Sequence, residues 1–258
     1  MIALAICVVS VACTSTDERY WRGDLGSLGI AAPAPDAANG AASGASSDPV
    51  AAAYARAPQA QLPARVAVAR LESRETEPSW RRETSPRTTS AKLVLANKAD
   101  AVTSAAYQRL AALPEVADLT PLNTLVAAQT IESQEQLRAA AAAVQADLVY
   151  AYTFDSYAKT RTNLPGLYVL SLGLLGFLPL VSIEVETTAS GALIDVRSGY
   201  VYGVADATET IKSSTDGWSL DEDIPRTREK AETAAFEKLN AAFEQRWKTH
   251  VAALRARP

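Results

Sequence analysis

The sequence predicts an α/β fold of the α+β kind: a small mixed β-sheet flanked by helices, with a long β-hairpin and a C-terminal amphipathic helix. Three observations predict it. Strand-like and helical patterns alternate along residues 64–254, which is typical of a mixed sheet covered by helices. A turn signal at Ser198-Gly199 joins two β-rich runs, as in a β-hairpin. The chain ends in a charged segment that keeps its large apolar side chains at helical spacing.

The first elements follow from short-range patterns. The run RVAVARLES, which begins at Arg65, has the alternation of a β-strand. Residues 101–113 then repeat apolar side chains at helical spacing until Pro114 ends the segment. Residues 116–119 predict a short strand, and residues 122–129 predict the start of another helix.

The second half of the chain has clearer signals. Ser133 can cap a helix in which Gln136 returns the bond, as in a capping box. That helix leads into DLVYAYTFDSY, an alternating apolar strand. The two β-rich runs joined at Ser198-Gly199 follow, and a helix over residues 225–254 completes the domain. Its apolar stripe consists of Ala231, Ala235, Phe236, Leu239, Phe243 and Trp247.

Composition excludes several function classes. The chain carries 25 Lys and Arg residues against 29 Asp and Glu residues. It therefore lacks the basic field with which proteins bind nucleic acid, and we expect no nucleic-acid partner. Its two cysteines, Cys7 and Cys13, precede the predicted domain, and His250 is the only histidine. The sequence therefore predicts neither a disulfide framework nor a metal site built from His and Cys.

The N-terminus predicts export and lipid attachment. Residues 1–12 form an uncharged apolar run of signal-peptide length, too short to cross a bilayer as a helix. The run leads into Val11-Ala12-Cys13-Thr14-Ser15, which resembles the lipobox at which bacterial lipoproteins are cleaved and lipidated. The resemblance implies that Cys13 is the lipidated first residue of the mature chain. Because Thr14 stands where an inner-membrane retention signal has Asp, it also implies the outer membrane, facing the periplasm. An ordinary signal peptide with an incidental cysteine is the alternative.

Domain boundaries follow from composition. Residues 1–13 are the predicted signal peptide and lipobox. Residues 14–63 are rich in Ala, Pro, Gly and Ser and predict a disordered tether, because so few large apolar side chains do not offset an ordering cost of roughly 1–2 kcal/mol per residue. Tyr20 and Trp21 could pin its first part loosely. Residues 64–254 predict a single periplasmic α/β domain.

One segment within the domain is almost entirely apolar. Residues 162–183, TNLPGLYVLSLGLLGFLPLVSI, contain no charged side chain, but their prolines and glycines argue against one continuous membrane helix. Three hypotheses stay open. The segment is a hairpin arm or lid packed on the domain, a surface that touches lipid or docks on a membrane protein, or a wall strand of an oligomeric pore, which the lack of polar alternation disfavours. The second hypothesis assigns membrane or partner contact to Leu167, Tyr168, Leu172, Leu175, Phe177 and Leu178.

Other polar and aromatic residues receive structural interpretations. The acidic run at residues 221–223 precedes Pro225 and is expected to complement the macrodipole of the final helix rather than to bind a cation. Trp218 and Trp247 are expected to pack. The sequence has no Gly-x-Ser-x-Gly elbow, no phosphate-binding glycine loop and no metal-binding histidine spacing. We therefore expect no catalytic residue, no cofactor and no bound metal.

Two motifs carry a family resemblance. A helix ends in AAAVQADLVYAYTFDS, with Ala146-Asp147 at the step into the strand, and a later strand runs into ALIDVRSGYVYGVADA, with Asp195-Val196-Arg197-Ser198-Gly199 at the turn. This combination resembles periplasmic lipoproteins of the curli secretion channel type and the penicillin-binding-protein activators. With the lipobox, the tether and the apolar patch, the chain is more closely similar to the rhombotarget lipoproteins over roughly residues 65–254. That resemblance implies a lipoprotein without catalytic residues, working with rhomboid-type proteases.

The sequence thus predicts a lipid-anchored periplasmic protein that binds or scaffolds an envelope assembly and is not an enzyme. Its expected partners are a membrane, through the N-terminal lipid, and an unidentified envelope protein. Two alternatives remain. One is a subunit of an oligomeric outer-membrane export channel, and the other is a hydrolase whose site lacks the usual motifs.

Overall fold

A computed structural model describes residues 16–21, 23, 25–28, 54–73, 93–96, 105–125, 130–162, 181–216 and 218–255. Within these residues, a seven-stranded mixed β-sheet packs with three α-helices, one of them C-terminal. The predicted α/β class, with its long hairpin and C-terminal helix, is confirmed.

The elements have the following bounds. The strands are β1 Thr16–Trp21, β2 Ala64–Ser73, β3 Leu93–Leu95, β4 Val116–Pro121, β5 Leu148–Thr162, β6 Val181–Asp195 and β7 Val201–Thr215. The helices are α1 Ala105–Ala111, α2 Gln134–Ala143 and α3 Leu220–Arg255, and a short 3-10 helix covers Leu25–Leu28.

The sheet is organised around β5. One edge of β5 pairs with β6 along its whole length, antiparallel, from Leu148 opposite Asp195 to Thr162 opposite Val181. The other edge is shared, because β2 pairs with its first part in parallel and β1 pairs with its later part antiparallel. β7 pairs antiparallel with β6, and β3 and β4 pair with the far side of β2. The predicted hairpin at Ser198-Gly199 is therefore the β6–β7 turn.

One face of the sheet is covered by α3. Tyr152 and Tyr150 of β5 contact Phe236 and Phe243 of α3, with ring centroids 4.6 and 4.9 Å apart, respectively. The predicted apolar stripe of α3 is buried throughout. Gly191 of β6 makes this packing possible, because a Cβ there would lie 2.9 Å from the Phe243 ring. The inward-facing residues of β5 and the apolar stripe of α3 thus form one aromatic core.

The opposite face is covered at one end by α2 and by Leu25–Leu28. Its buried cluster joins alternate residues of β2, β5 and β6 to these helices and to β3. The largest members, all nearly inaccessible to solvent, are Leu71, Leu93, Ile131, Leu137, Val149 and Ile194. Burial on both faces explains why β5 begins with the continuous apolar run LVYAY.

Both ends of α2 have well-defined caps. The Ser133 hydroxyl accepts from the N–H of Gln136, and the Gln136 side chain accepts from the N–H of Glu132, one residue before the cap, at 2.8 Å. The predicted Ser133 cap is confirmed, whereas the return bond of the predicted capping box goes to Glu132 rather than to Ser133. At the other end, Gln145 has a positive φ of 59°, and the N–H groups of Gln145 and Ala146 return to the carbonyls of Ala142 and Ala141, as in a Schellman motif.

The predicted tether at residues 14–63 belongs partly to the fold. Residues 16–21 form β1, Leu25 and Leu28 are buried, and residues 54–63 lead directly into β2. The pinning expected at Tyr20 and Trp21 is confirmed: Tyr20 packs on Tyr157 at 4.6 Å, and Arg228 lies 4.7 Å from the centroid of Trp21. Composition missed this strand because its stability comes from pairing with β5, which is remote in sequence.

The structure differs from the sequence predictions at three places. α3 begins at Leu220 rather than at residue 225, because the Ser219 carbonyl accepts from the N–H groups of Glu222 and Asp223 and Pro225 is accommodated inside the helix. The helix expected from residue 122 is not formed over residues 122–125, and residues 126–129 lie outside the described part. β3 was not anticipated, since a three-residue strand is defined by its pairing with β2 more than by its own pattern.

Candidate functional site

The residues predicted to touch membrane or partner lie outside the described residues. This holds for Cys13 and for the apolar contacts Leu167, Tyr168, Leu172, Leu175, Phe177 and Leu178. The structure does describe the chain on either side of them. Of the predicted apolar segment, Thr162 is the last residue of β5, and residues 181–183 are the first residues of β6.

These flanking residues meet at one end of the sheet. Thr16, the first residue of β1, is the Cα partner of Arg161, and Arg161 is the partner of Ser182 on β6. Ser182 is in turn the partner of Ser214 on β7. This row crosses four adjacent strands in about 15 Å, at the usual spacing between neighbouring strands. One residue further along, Thr162 is opposite Val181, which closes the β5–β6 pairing.

The pairing of Thr16 limits how far Cys13 can lie from this end of the sheet. Cys13 precedes Thr16 by three residues, so its Cα lies within about 11 Å of the Thr16 Cα in any conformation. The apolar stretch leaves the sheet at Thr162, one residue beyond the β5 partner of Thr16. We name this part of the molecule, defined by Thr16, Arg161, Thr162, Val181 and Thr215, the insert end.

Beneath the insert end lies a separate apolar cluster. Ile183, Val185, Ile224 and Ala231 are all buried there, and they join β6 to the first turns of α3. Polar contacts at the rim reinforce the junction: the Thr215 hydroxyl donates to the Asp223 carboxylate, and Arg19 lies 3.0 Å from Asp221. The strand ends at the insert end are therefore fixed to α3.

Trp218 is exposed at the insert end, contrary to the expectation that it packs. Its side chain is 69% exposed, whereas Trp247 is buried as predicted. The backbone N–H groups of Trp218 and Ser219 both donate to Asp216 Oδ1, at 3.0 and 2.7 Å. These hydrogen bonds, chiefly the one from Ser219, hold the pKa of Asp216 below its usual value. The turn is thus defined by the Asp216 side chain, and α3 begins before the indole ring can reach the core.

The Asp-Val-x-Ser-Gly motif lies at the opposite end of the sheet, where Asp195 pairs with Leu148. The Asp195 carboxylate is fully buried. Its hydrogen-bond donors are the N–H groups of Gln59, Ala60, Arg197 and Ser198, at 2.7 to 2.9 Å, and the Tyr202 hydroxyl at 3.1 Å. Burial alone would raise the pKa of Asp195, but these bonds outweigh it and lower the pKa. Such a saturated carboxylate organises a turn.

The same turn is held by helix α2. Arg138 donates from Nε to the carbonyl of Val196 at 2.8 Å, and Gln134 donates from Nε2 to the carbonyl of Gly199 at 3.0 Å. Gly199 has a φ of 69°, a conformation that glycine adopts without strain. The motif noticed in the sequence therefore has a structural explanation, as expected for Ser198-Gly199.

A buried charge cluster ties β2 to α3. Glu232 is 6% exposed and binds Arg70 at 2.8 Å and Arg228 at 2.9 Å. Arg70 also contacts Glu72 at 2.9 Å and lies 4.8 Å from the centroid of the Phe154 ring. Both oxygens of Glu232 are thus engaged by cations, which leaves no free carboxylate for proton transfer. The cluster stabilises the helix on the sheet.

An apolar groove opens between α1, β4 and the C-terminal part of α3. It encloses about 470 Å³ of unfilled space, part of it open to solvent. The Tyr150 hydroxyl, at a residue that lines the groove, is buried and has no hydrogen-bond partner among the described residues. Burial raises the pKa of Tyr150 well above its usual value. The other lining residues are Val66, Leu110, Leu113, Val116, Leu119, Leu148, Leu193, Phe243, Glu244 and Trp247.

Across the part of the chain that the structure describes, no three His, Cys, Asp or Glu side chains cluster in a way that could hold a metal ion. None of the helices in that part combines the length and the apolar character needed to span a bilayer. The side chain of His250, the only histidine in the sequence, lies outside the described set.

Comparisons with protein-family models, with curated proteins and with solved structures find no match to this chain. The similarity to rhombotarget lipoproteins therefore stays a prediction from the sequence. Two features of the site escaped sequence reasoning, namely the pairing of β1 with β5 and the exposure of Trp218. The β-forming residues Tyr20 and Trp21 were the available signal for the first.

Proposed function

We propose that this chain is a lipid-anchored, non-catalytic binding or scaffolding protein of the bacterial cell envelope. In this proposal Cys13 carries the lipid, and the insert end of the sheet faces the membrane. The single observation that supports it is the pairing of Thr16 with Arg161, because Thr16 follows Cys13 by three residues and Arg161 lies two residues before residues 163–180.

The pairing changes how the anchor would work. A tether of about fifty residues would let the domain move freely away from the bilayer, whereas the two residues between Cys13 and β1 would hold it against the surface. Each acyl methylene buried in lipid contributes about 0.8 kcal/mol, so several chains on Cys13 would anchor the domain almost permanently. An apolar stretch that emerges beside that anchor is well placed to touch lipid or a membrane protein.

The opposite end of the sheet would then be the part presented to an envelope partner. β5 has fifteen residues, which span about 50 Å in an extended strand. The Asp195 turn and the apolar groove would therefore lie far from the membrane surface. A binding or scaffolding role in the periplasm, with the anchor in the outer membrane, fits this arrangement.

Metabolic labelling with a palmitate analogue tests the proposal. The native chain is compared with Cys13→Ser and with Cys7→Ser as the matched control, since Cys7 lies inside the predicted signal peptide. We expect label on the native chain and on the Cys7→Ser variant, and none on the Cys13→Ser variant. Label that persists in Cys13→Ser, or that is absent from all three proteins, would contradict lipid attachment at Cys13.

A further inference from the structure

Trp218 is exposed at the insert end. Thr215, the last residue of β7, is the Cα partner of Val181, and Trp218 follows Thr215 by three residues, or at most about 11 Å. Leu220, two residues later, packs against the buried Ile183 cluster. The exposed indole ring thus belongs to the same end of the sheet as Val181, the first described residue after residues 163–180.

We propose that Trp218 is a membrane-contact residue whose indole ring lies in the headgroup region of the bilayer, so that the β-sheet stands end-on to the membrane. This inference rests on the proposed membrane-facing insert end, but it does not require acylation. Its partner is a lipid surface.

The local structure explains why this ring is outside the core. The Asp216 carboxylate binds the N–H groups of Trp218 and Ser219, and α3 starts immediately afterwards. Packing the ring would require breaking this cap. A tryptophan that is 69% exposed lacks most of the favourable free energy that burying its apolar ring would contribute. Contact with lipid would restore that contribution. Tryptophan is also the residue type enriched at membrane interfaces, because its ring is apolar and its N–H stays hydrated.

The chain around Trp218 favours lipid as the occupant. The sequence between Thr162 and Val181 carries no charged side chain. The two residues that flank it pair with each other, and Val181 also pairs with Thr215, three residues before Trp218. The nearby acidic residues of α3 are paired with cations: Asp221 with Arg19, and Glu222 and Asp223 with Arg226. Two arginines thus partly offset these three carboxylates, and Asp216, which accepts from the N–H of Trp218, adds a fourth acidic group near the indole ring.

The test uses the proposed mature chain, residues 13–258, with Cys13→Ser so that no acyl chain is present. It retains every described element, since these lie between residues 16 and 255. The protein is mixed with vesicles of phosphatidylethanolamine and phosphatidylglycerol, with and without bromine on the acyl chains. Bromine quenches the emission of tryptophans that enter the bilayer, and sedimentation gives the partition coefficient.

Two variants and one control are compared with the parent. Trp218→Phe should abolish the bromine-dependent quenching, and Trp218→Ala should lower the partition coefficient by at least about threefold, since binding scales with buried apolar area. Tyr54→Ala should leave the partition coefficient unchanged, because Tyr54 is 89% exposed but lies in the segment that reaches Asp195, at the other end of the sheet.

The inference is overturned if the parent does not bind vesicles, if quenching persists in Trp218→Phe, or if Trp218→Ala and Tyr54→Ala bind as the parent does. These outcomes are separate from those of the palmitate experiment. Quenching at Trp218 without label on Cys13 would retain the membrane contact and remove the lipid anchor. Label on Cys13 without quenching would retain the lipid anchor and remove the membrane contact of Trp218.

Discussion

The Asp195 carboxylate accepts a 2.7 Å hydrogen bond from the backbone N–H of Gln59, 136 positions earlier in the chain. Because the same oxygen also accepts from Ala60 and Tyr202, one side chain joins the segment before β2 to the β6–β7 turn. This explains why a motif that recurs in β proteins has a specific architectural role here, and it yields two predictions.

Asp195→Asn should lower the free energy of unfolding by about 2–4 kcal/mol. The amide keeps one acceptor oxygen and brings an NH₂ group that opposes N–H donors in a buried site, and charge-assisted bonds are the stronger kind. Urea unfolding followed by circular dichroism measures the change. Asp206→Asn, on the exposed side of β7, is the control and should stay within about 0.5 kcal/mol of the native chain. Equal stabilities of the two variants would contradict the role assigned to Asp195.

The contribution of Asp195 should also depend on pH. Its hydrogen bonds lower the pKa in the folded state below the ordinary value of 3.8, so folding favours the ionised form. The stability difference between the native chain and Asp195→Asn should be complete above pH 3.8 and should shrink as the pH falls through the lower folded-state pKa. Urea titrations from neutral to acid pH check this. A difference that grows toward acid pH would contradict it.

Gln145→Gly should stabilise the protein by about 0.5–1 kcal/mol, because Gln145 ends α2 with a φ of 59°, and glycine adopts such angles without steric cost. Ala142→Gly, an exposed position inside the same helix, should destabilise by about 1 kcal/mol. If the cap is as described, thermal unfolding should give a higher melting temperature for Gln145→Gly and a lower one for Ala142→Gly than for the native chain. Destabilisation by both substitutions would show that residue 145 does not adopt this conformation in solution.

Tyr150→Phe should leave stability unchanged or raise it by up to about 1 kcal/mol, because it removes a buried hydroxyl that has no partner among the described residues. Tyr107 provides the matched control. Its hydroxyl donates to the carbonyl of Leu119 at 2.7 Å, and Tyr107→Phe should cost about 1 kcal/mol. Urea unfolding of the native chain and of the two variants gives the free energies of unfolding to be compared. A loss at Tyr150 as large as that at Tyr107 would show that the Tyr150 hydroxyl is hydrogen-bonded in solution.

The parts of the fold that could be predicted from the sequence are those set by local patterns. Alternation in β5 and β6, the Ser198-Gly199 turn, the Ser133 cap and the α3 stripe all act over a few residues. β1 could not be predicted in this way, since TDERYW is polar and gains its order from β5. Trp218 was misassigned because composition cannot show that Asp216 starts α3 before the indole ring can turn inward. The membrane-facing role proposed for the insert end depends on the first of these features, and the membrane contact proposed for Trp218 depends on the second.

A final prediction concerns the apolar segment itself. If residues 163–180 touch lipid or a partner, Leu172→Asp combined with Leu175→Asp should leave the melting temperature unchanged within about 2 °C and should weaken vesicle binding of the unacylated mature chain. Ile183→Asp is the matched control, because Ile183 lies on β6, three residues after residue 180, and is fully buried, so a charge there should unfold the domain or cost at least about 3 kcal/mol. Circular dichroism and vesicle sedimentation provide the two measurements. If the double variant unfolds as Ile183→Asp does, the segment belongs to the core, and the membrane-facing role of the insert end fails with it.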